Sequence, residues 1–116
     1  MKDFREMQVW HKGHELALEI YKLTAKFPKE EIYGLSSQIR KAAVSIPTNI
    51  AEGCGRGSTK ELKHFLRISM GSASEVEYQI LLSYELHYIN RETYDNLNSD
   101  IQEIKKMLSS YIVKIN

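Results

Sequence analysis

The sequence predicts an all-α chain folded as one antiparallel, up-down-up-down four-helix bundle. Three observations predict it. Only two prolines and six glycines occur in 116 residues, and they cluster, leaving long uninterrupted segments. Within those segments apolar residues recur at spacings of three and four, the period of a helix with one buried face. The connections are short, so consecutive helices must lie side by side and run in opposite directions. No strand pattern, internal repeat or disordered linker interrupts this order. The length fits a single domain over residues 1–116.

The first helix is expected from about Met7 to Lys26, with Val9, Trp10, Leu16, Ala17, Ile20, Leu23, Thr24 and Phe27 on its inner face. Pro28 ends it, because the residue before a proline is driven out of the α region. The second helix starts at Glu31 or Leu35 and runs to Glu52, burying Leu35, Ile39, Ala42, Ala43, Ile46 and Ile50. Pro47 lies inside it. The periodicity continues beyond the proline, which predicts a kink and not a stop. Gly53-Cys54-Gly55-Arg56-Gly57 then breaks the helix.

Ser58-Thr59-Lys60-Glu61 reads as a capping box, in which Ser58 accepts from the Glu61 amide and Glu61 reaches back to the Ser58 amide. The third helix runs from there to about Tyr88, roughly 45 Å at 1.5 Å per residue. Its inner seam is expected at Leu62, Phe65, Ser69, Ser72 or Ala73, Val76, Ile80, Ser83 and His87. Gly71-Ser72 is a close-packing point between helices. Asn90 is a good N-cap for the last helix, which carries a clean heptad: Tyr94, Leu97, Ile101, Ile104, Leu108, Tyr111 and Ile115. The second half of the third helix is apolar on more than one face. Tyr78, Leu82 and Tyr84 therefore predict an interface between copies, since a lone bundle buries one stripe per helix.

Several classes of activity are excluded or left without support. A single cysteine, Cys54, cannot make an intrachain disulfide. The first residues lack the apolar core of a signal peptide, and the longest weakly polar stretch, Ala42 to Ala51, is about half the length of a membrane helix. A cytoplasmic, soluble chain with no membrane partner is the expectation. Glu61-Leu62-Lys63-His64 is one Glu-x-x-His motif, but a di-iron bundle needs two. His11 and His14 stand at i, i+3 without an evident third ligand. Cys54 lies beside Arg56 in a setting that could lower a thiol pKa, yet no base accompanies it. The glycine run before Ser58 follows a helix and not a strand, so it is not a Walker loop. No metal, no cofactor and no enzymatic activity are expected.

Charge is more informative. Sixteen basic residues balance fifteen acidic ones, for a net charge of +1. The basic residues are polarised, however. Lys60, Lys63 and Arg67 share one face of the third helix with His64, against the single acid Glu61. Arg40 and Lys41 on the antiparallel second helix are expected at about the distance of Arg67 from the connecting loop. Such a strip suits a phosphate backbone. It predicts RNA or DNA binding by charge and shape, with RNA favoured. The alternative is a scaffold for a protein partner, in which the charges serve solubility alone.

The string Tyr33-Gly34-Leu35, Gln38-Ile39-Arg40-Lys41-Ala42-Ala43-Val44-Ser45-Ile46-Pro47, Asn49-Ile50-Ala51-Glu52-Gly53, Arg56, Ser58, Glu61, Phe65-Leu66, Gly71-Ser72 and Glu75 resembles the 23S rRNA intervening-sequence proteins. The resemblance covers essentially the whole chain. It implies an antiparallel four-helix bundle, a homopentamer, a bacterial cytoplasmic origin and no established enzymatic activity. A related branch, the accessory variability determinant of diversity-generating retroelements, is a basic pentamer that works with a reverse transcriptase and nucleic acid. Read physically, Pro47, Asn49, Glu52, Gly53, Arg56, Ser58, Glu61, Gly71 and Glu75 form a structural motif. In it Arg56 is expected to pair with Glu52 or Glu75 and so fix the connection between the second and third helices.

Overall fold

The structure, a computed structural model, describes residues 2–115. Four helices follow one another: α1 (Gln8–Thr24), α2 (Leu35–Gly55), α3 (Thr59–Glu85) and α4 (Arg91–Lys114). Single 3-10 turns at Phe4–Glu6 and Lys29–Glu31 precede α1 and α2. No strand occurs among the described residues.

Side-chain contacts fix the topology. Gly13 of α1 lies against Ile46 and Pro47 of α2, and Arg40 of α2 reaches Thr24 and Tyr21 of α1. Ser45 of α2 bonds Ser72 of α3, and Gly53 faces Leu62 and Phe65. Glu77 of α3 holds Gln102 and Lys105 of α4, while Tyr84 stacks on Tyr94. Within each neighbouring pair, contacts at higher residue numbers on one helix fall at lower numbers on the next, so each pair is antiparallel. Lys12 to Glu103 closes α1 against α4. The long dimension, 43 Å, is close to the length of the 27-residue α3, about 40 Å at 1.5 Å per residue.

The core is built largely from isoleucine and leucine at the periodic positions. Ile20, Ile39, Ile46, Ile50, Leu66, Ile80, Ile101, Ile104 and Leu108 are fully buried. The heptad of α4 holds as read, with its half-buried members Tyr94, Tyr111 and Ile115 at the ends.

The differences from expectation have physical causes. The glycine run does not break α2, which continues to Gly55 and turns only through Arg56 to the positive-φ Gly57. Gly53 lies where α3 crosses α2 closely: a Cβ on it would sit 3.0 Å from Phe65 Cβ and 3.3 Å from Leu62 Cα. Leu66, not Phe65, fills the core at the start of α3. Gly71 is not a packing point. It is exposed, with open space where a Cβ would stand, and only its neighbour Ser72 faces α2. α3 ends at Glu85, three residues short of Tyr88, because His87 takes a left-handed conformation with φ 65° and leaves the seam. Ser58 caps α3 by accepting from the Glu61 amide at 3.1 Å, but the Glu61 carboxylate turns to Arg56 and does not complete the box.

The proline turn explains much of the motif. Pro47 removes one donor from the ladder. Side chains add donors to the two carbonyls before it: Asn49 Nδ2 to Ser45 O at 2.8 Å and Ser69 Oγ to Ile46 O at 2.9 Å. Ser45 Oγ bonds Ser72 Oγ at 2.7 Å and receives Asn49 Nδ2 at 2.9 Å. α1 approaches this turn closely because Gly13 has no side chain: a Cβ there would meet Ile46 Cγ2 at 3.0 Å. Ser45, Pro47, Asn49 and Gly53 thus hold α1, α2 and α3 together.

Two polar features lie outside the expected pattern. Gln79 is buried in α3; its Nε2 reaches Glu75 at 3.5 Å, and its Oε1 has no partner. An unpartnered buried amide oxygen costs about 1–3 kcal/mol. Gln79→Leu should therefore leave stability unchanged or raise it in chemical denaturation. Second, Glu31 caps the start of α2, accepting from the Leu35 amide at 3.0 Å and from the Tyr88 hydroxyl at 2.7 Å.

The Leu35 amide first, and the Tyr88 hydroxyl second, hold the Glu31 carboxyl below the usual range. The folded chain thus takes up that proton less readily than the unfolded one. The contribution is complete above the ordinary carboxylate pKa and disappears as pH falls through the folded value. Glu31→Gln should lower the denaturation midpoint near neutral pH, and the loss should shrink as pH falls below the ordinary carboxylate range.

Candidate nucleic-acid interface

Chain topology decides which cations meet. The α2–α3 turn, the end of α4 and the segment before α1 converge at one end of the bundle. The Lys2 amide donates to Cys54 O at 3.4 Å, and Lys2 Nζ lies 5.6 Å from the centre of the Tyr111 ring. Lys63 Nζ of α3 reaches Ile115 O, just past α4, at 3.5 Å. A cation there also meets the negative end of the α4 dipole. Tyr111 is the first cause holding the Lys2 ammonium above its ordinary pKa, so it stays charged.

Two clefts flank this point. One, about 750 Å³, runs between the start of α1 and the end of α4 and is lined by Lys2, Lys106, Lys114, Ser110, Tyr111 and Glu6. The other, about 410 Å³, lies under Gly57, Ser58 and Thr59 and shares Lys2 and Tyr111. Lys60, Lys63 and Arg67 rise along α3 from the same end. Lys60 and Arg67 are exposed and Lys63 is half-buried. Among the described residues none of Lys2, Lys60, Lys63, Arg67 and Lys114 has a carboxylate in salt-bridge range.

The opposite end carries the acids Glu30, Glu31, Glu85, Glu92 and Asp95 around the α1–α2 and α3–α4 connections. Lys26, Lys29 and Arg91 stand among them, so that end is close to balanced and the excess of cations lies at the other.

The structure divides the strip expected from sequence. Ser45 is opposite Ser72 and Ile46 opposite Ser69, so Lys41 stands level with Glu75. That is about eight residues beyond Arg67, roughly 12 Å along the helix. Arg40 and Lys41 are thus not at the height of Arg67. Arg40 is also engaged: its Nε donates to Thr24 Oγ1 at 2.6 Å, its NH2 donates to Tyr21 O at 3.1 Å, and its guanidinium lies over the Tyr21 ring at 4.6 Å. It neutralises the carbonyl end of α1. Lys41 is exposed. Sequence reasoning missed Lys2, Lys106 and Lys114. Their signal was the antiparallel order itself, which puts the end of α4 beside the start of α3.

Arg56 plays its expected part in the connection. Its Nε lies 3.1 Å from Glu52 and 3.7 Å from Glu61, and the guanidinium sits 5.0 Å from the centre of the Phe65 ring. Glu75 is not its partner; it faces solvent one turn before Gln79.

The wide apolar arc of α3 is also divided. Leu82 packs on the core and Tyr84 stacks on Tyr94 at 5.1 Å, so both serve the monomer. Tyr78 remains exposed. A larger apolar surface, not read from the sequence, lies between α1 and α2. Phe4, Trp10, Leu18, Tyr21, Val44 and Pro47 line a groove of about 830 Å³.

The other chemical candidates find different explanations. Cys54 is buried, burial first raises its pKa, and its Sγ meets Met7 Sδ at 3.3 Å. The expected setting for a lowered pKa is not there. His11 Nε2 meets Arg5 O at 2.6 Å, and His14 stacks on Trp10. No group of three or more histidine, cysteine or acidic side chains could hold a metal among the described residues.

A family model described as 23S rRNA-intervening sequence protein matches residues 5–110. The chain belongs to this family. The match includes all four helices apart from the last turn of α4. A crystal structure of a protein of unknown function from the S23 ribosomal protein family of Bacteroides thetaiotaomicron is similar, with a TM-score of 0.83 and 33% sequence identity. The likeness covers 91% of this chain and 96% of that one. No curated protein matches this chain. Among the described residues of this family member no helix is long and apolar enough to cross a membrane.

Proposed function

We propose that this chain is a non-enzymatic nucleic-acid-binding module that works as an oligomer and takes structured RNA by its phosphate backbone. The observation that carries this reading is the convergence of Lys2, Lys60, Lys63, Arg67 and Lys114 at one end of the bundle, free of carboxylates within salt-bridge range. The family's name points to the same class of partner. The contact set keeps Lys60, Lys63 and Arg67, gains Lys2, Lys106 and Lys114, and loses Arg40 and Lys41. No aromatic platform of the kind that reads unstacked bases accompanies these cations, so recognition is by charge and shape. Several copies, a homopentamer by family resemblance, would multiply the field of one basic end.

A scaffold that binds a protein partner is the second reading, and the apolar α1–α2 groove favours it. Direct titration of a labelled structured rRNA fragment with purified protein at low salt separates the two. Saturable binding supports the RNA module. An absence of binding leaves the scaffold.

A further inference from the structure

We propose that the cleft between the end of α1 and the start of α2 binds a free nucleoside 5′-diphosphate, its phosphates on Ser36, Arg40 and Lys41 and its ring against Ile32 and Val44. The cleft has a volume of about 840 Å³, within the range of small-molecule sites. It lies at the end of the bundle away from Lys2 and Lys114, so it is separate from the RNA interface. Its polar side is cationic. Lys29, Arg40 and Lys41 line it with Ser36 and Ser37, and no acid does. Among the described residues none of the three cations has a carboxylate in salt-bridge range. Glu31 follows Lys29 closely in sequence, but its carboxylate is turned to the Leu35 amide and the Tyr88 hydroxyl. On α2 the spacing of residues 36, 37, 40, 41 and 44 puts them on one helical face.

Two side chains are already set for an anion. Arg40 Nε donates to Thr24 Oγ1 at 2.6 Å, and the Thr24 hydroxyl donates onward to Ile20 O at 2.7 Å. Arg40 Nη2 donates to Tyr21 O, and the guanidinium rests over the Tyr21 ring. All these partners are neutral, so the positive charge is not cancelled, and Nη1 is left for a ligand. A guanidinium held in place beforehand loses little freedom when it takes a phosphate. Ser36 is the second. It is only 6% exposed and lines the cleft, yet its hydroxyl has no hydrogen-bond partner among the described residues. A hydroxyl so enclosed gains from a ligand oxygen. The other wall is apolar: Ile32 is 54% and Val44 37% exposed, beside Tyr21 and Phe27. A flat ring would cover this wall, and inorganic phosphate would not. A ring joined to a short chain of phosphates matches an apolar wall beside three cations. Charge at this end of the bundle is otherwise close to balanced, so it does not gather a long phosphate backbone, and the ligand is a free nucleotide.

The proposal does not depend on RNA binding. The test is calorimetric titration of the full chain with ADP, adenosine and inorganic phosphate. ADP should bind saturably, at least about tenfold more tightly than either of the others, a difference of about 1.4 kcal/mol. Ser36→Ala breaks no bond of the folded chain. It should melt like the parent without ligand and lose about tenfold in ADP affinity, the worth of one hydrogen bond to a charged group. Arg40→Lys removes the planar fork and should lose about as much. Lys41→Ala, an exposed charge, should lose about two- to fivefold. Lys26→Ala, outside the cleft, should change little. RNA binding should be unaffected by ADP and by Lys41→Ala, so failure of one site leaves the other standing. No ADP binding at millimolar concentration would overturn the proposal. Inorganic phosphate held as tightly as ADP, or full ADP affinity in both Ser36→Ala and Arg40→Lys, would overturn it equally.

Discussion

Gly53→Val destabilises the bundle by about 2–3 kcal/mol, the usual cost of forcing extra carbons into a packed contact. A Cβ at this position stands 3.0 Å from Phe65 Cβ, 3.1 Å from Leu62 Cδ1 and 3.3 Å from Leu62 Cα. The last contact is with backbone, which cannot rotate away. Relief requires α3 to move off α2, and that motion would disturb the Ser45–Ser72 and Ser69–Ile46 bonds further along the same interface. Urea denaturation followed by circular dichroism measures the loss. A variant as stable as the parent would mean that α2 and α3 do not touch as described. Gly71 gives the contrast: with no neighbour at its Cβ position, Gly71→Ala should leave the helix at least as stable.

The second large effect is on binding. Lys63→Glu with Arg67→Glu replaces two cations at the basic end by two anions. Binding of structured RNA should be lost at near-physiological salt without loss of fold, because Arg67 is exposed and Lys63 makes only a long contact to Ile115 O. Loss of two phosphate contacts alone would flatten the salt dependence by about two units in the slope of log K against log salt. The reversed charges add repulsion. Lys26→Glu with Lys29→Glu at the opposite end makes the control, since it changes net charge by the same four units and should leave binding nearly intact. Equal losses in the two variants would show that net charge, and not the basic end, governs the interaction.

Most of the fold was legible in the sequence because it is periodic. The stripes of α1, α2 and α4, most of the α3 seam, the helical Pro47 and the Ser58 and Asn90 caps depend on local spacing, and they stand in the structure. What was not legible depends on neighbours. Glycines at 53, 55 and 57 read alike, yet Gly53 and Gly55 are helical, Gly53 alone of the three packs on α3, and only Gly57 takes a positive φ. Gly71 read as a close-packing point, yet it faces open space, and the glycine that packs closely against α2 is Gly13, which the sequence did not single out.

The candidate site was half legible for the same reason. Lys60, Lys63 and Arg67 are neighbours on one helix, so their grouping follows from sequence. Lys2 and Lys114 join them only through the antiparallel closure of the bundle. The placement of Arg40 beside Arg67 failed because it ignored the register. The two lie on different helices roughly 13 Å apart in height, and Arg40 is occupied by the end of α1. The motif that carries the family resemblance, from Ser45 to Gly53, packs helices together, so its chemistry speaks for the fold and not for the ligand.

The most direct test of the central claim is the salt dependence of RNA binding by the wild-type protein. With about six phosphate contacts per engaged copy, log K should fall with log salt at a slope of about −5. Binding that ignores salt, or no binding even at low salt, would contradict a basic end that holds phosphate.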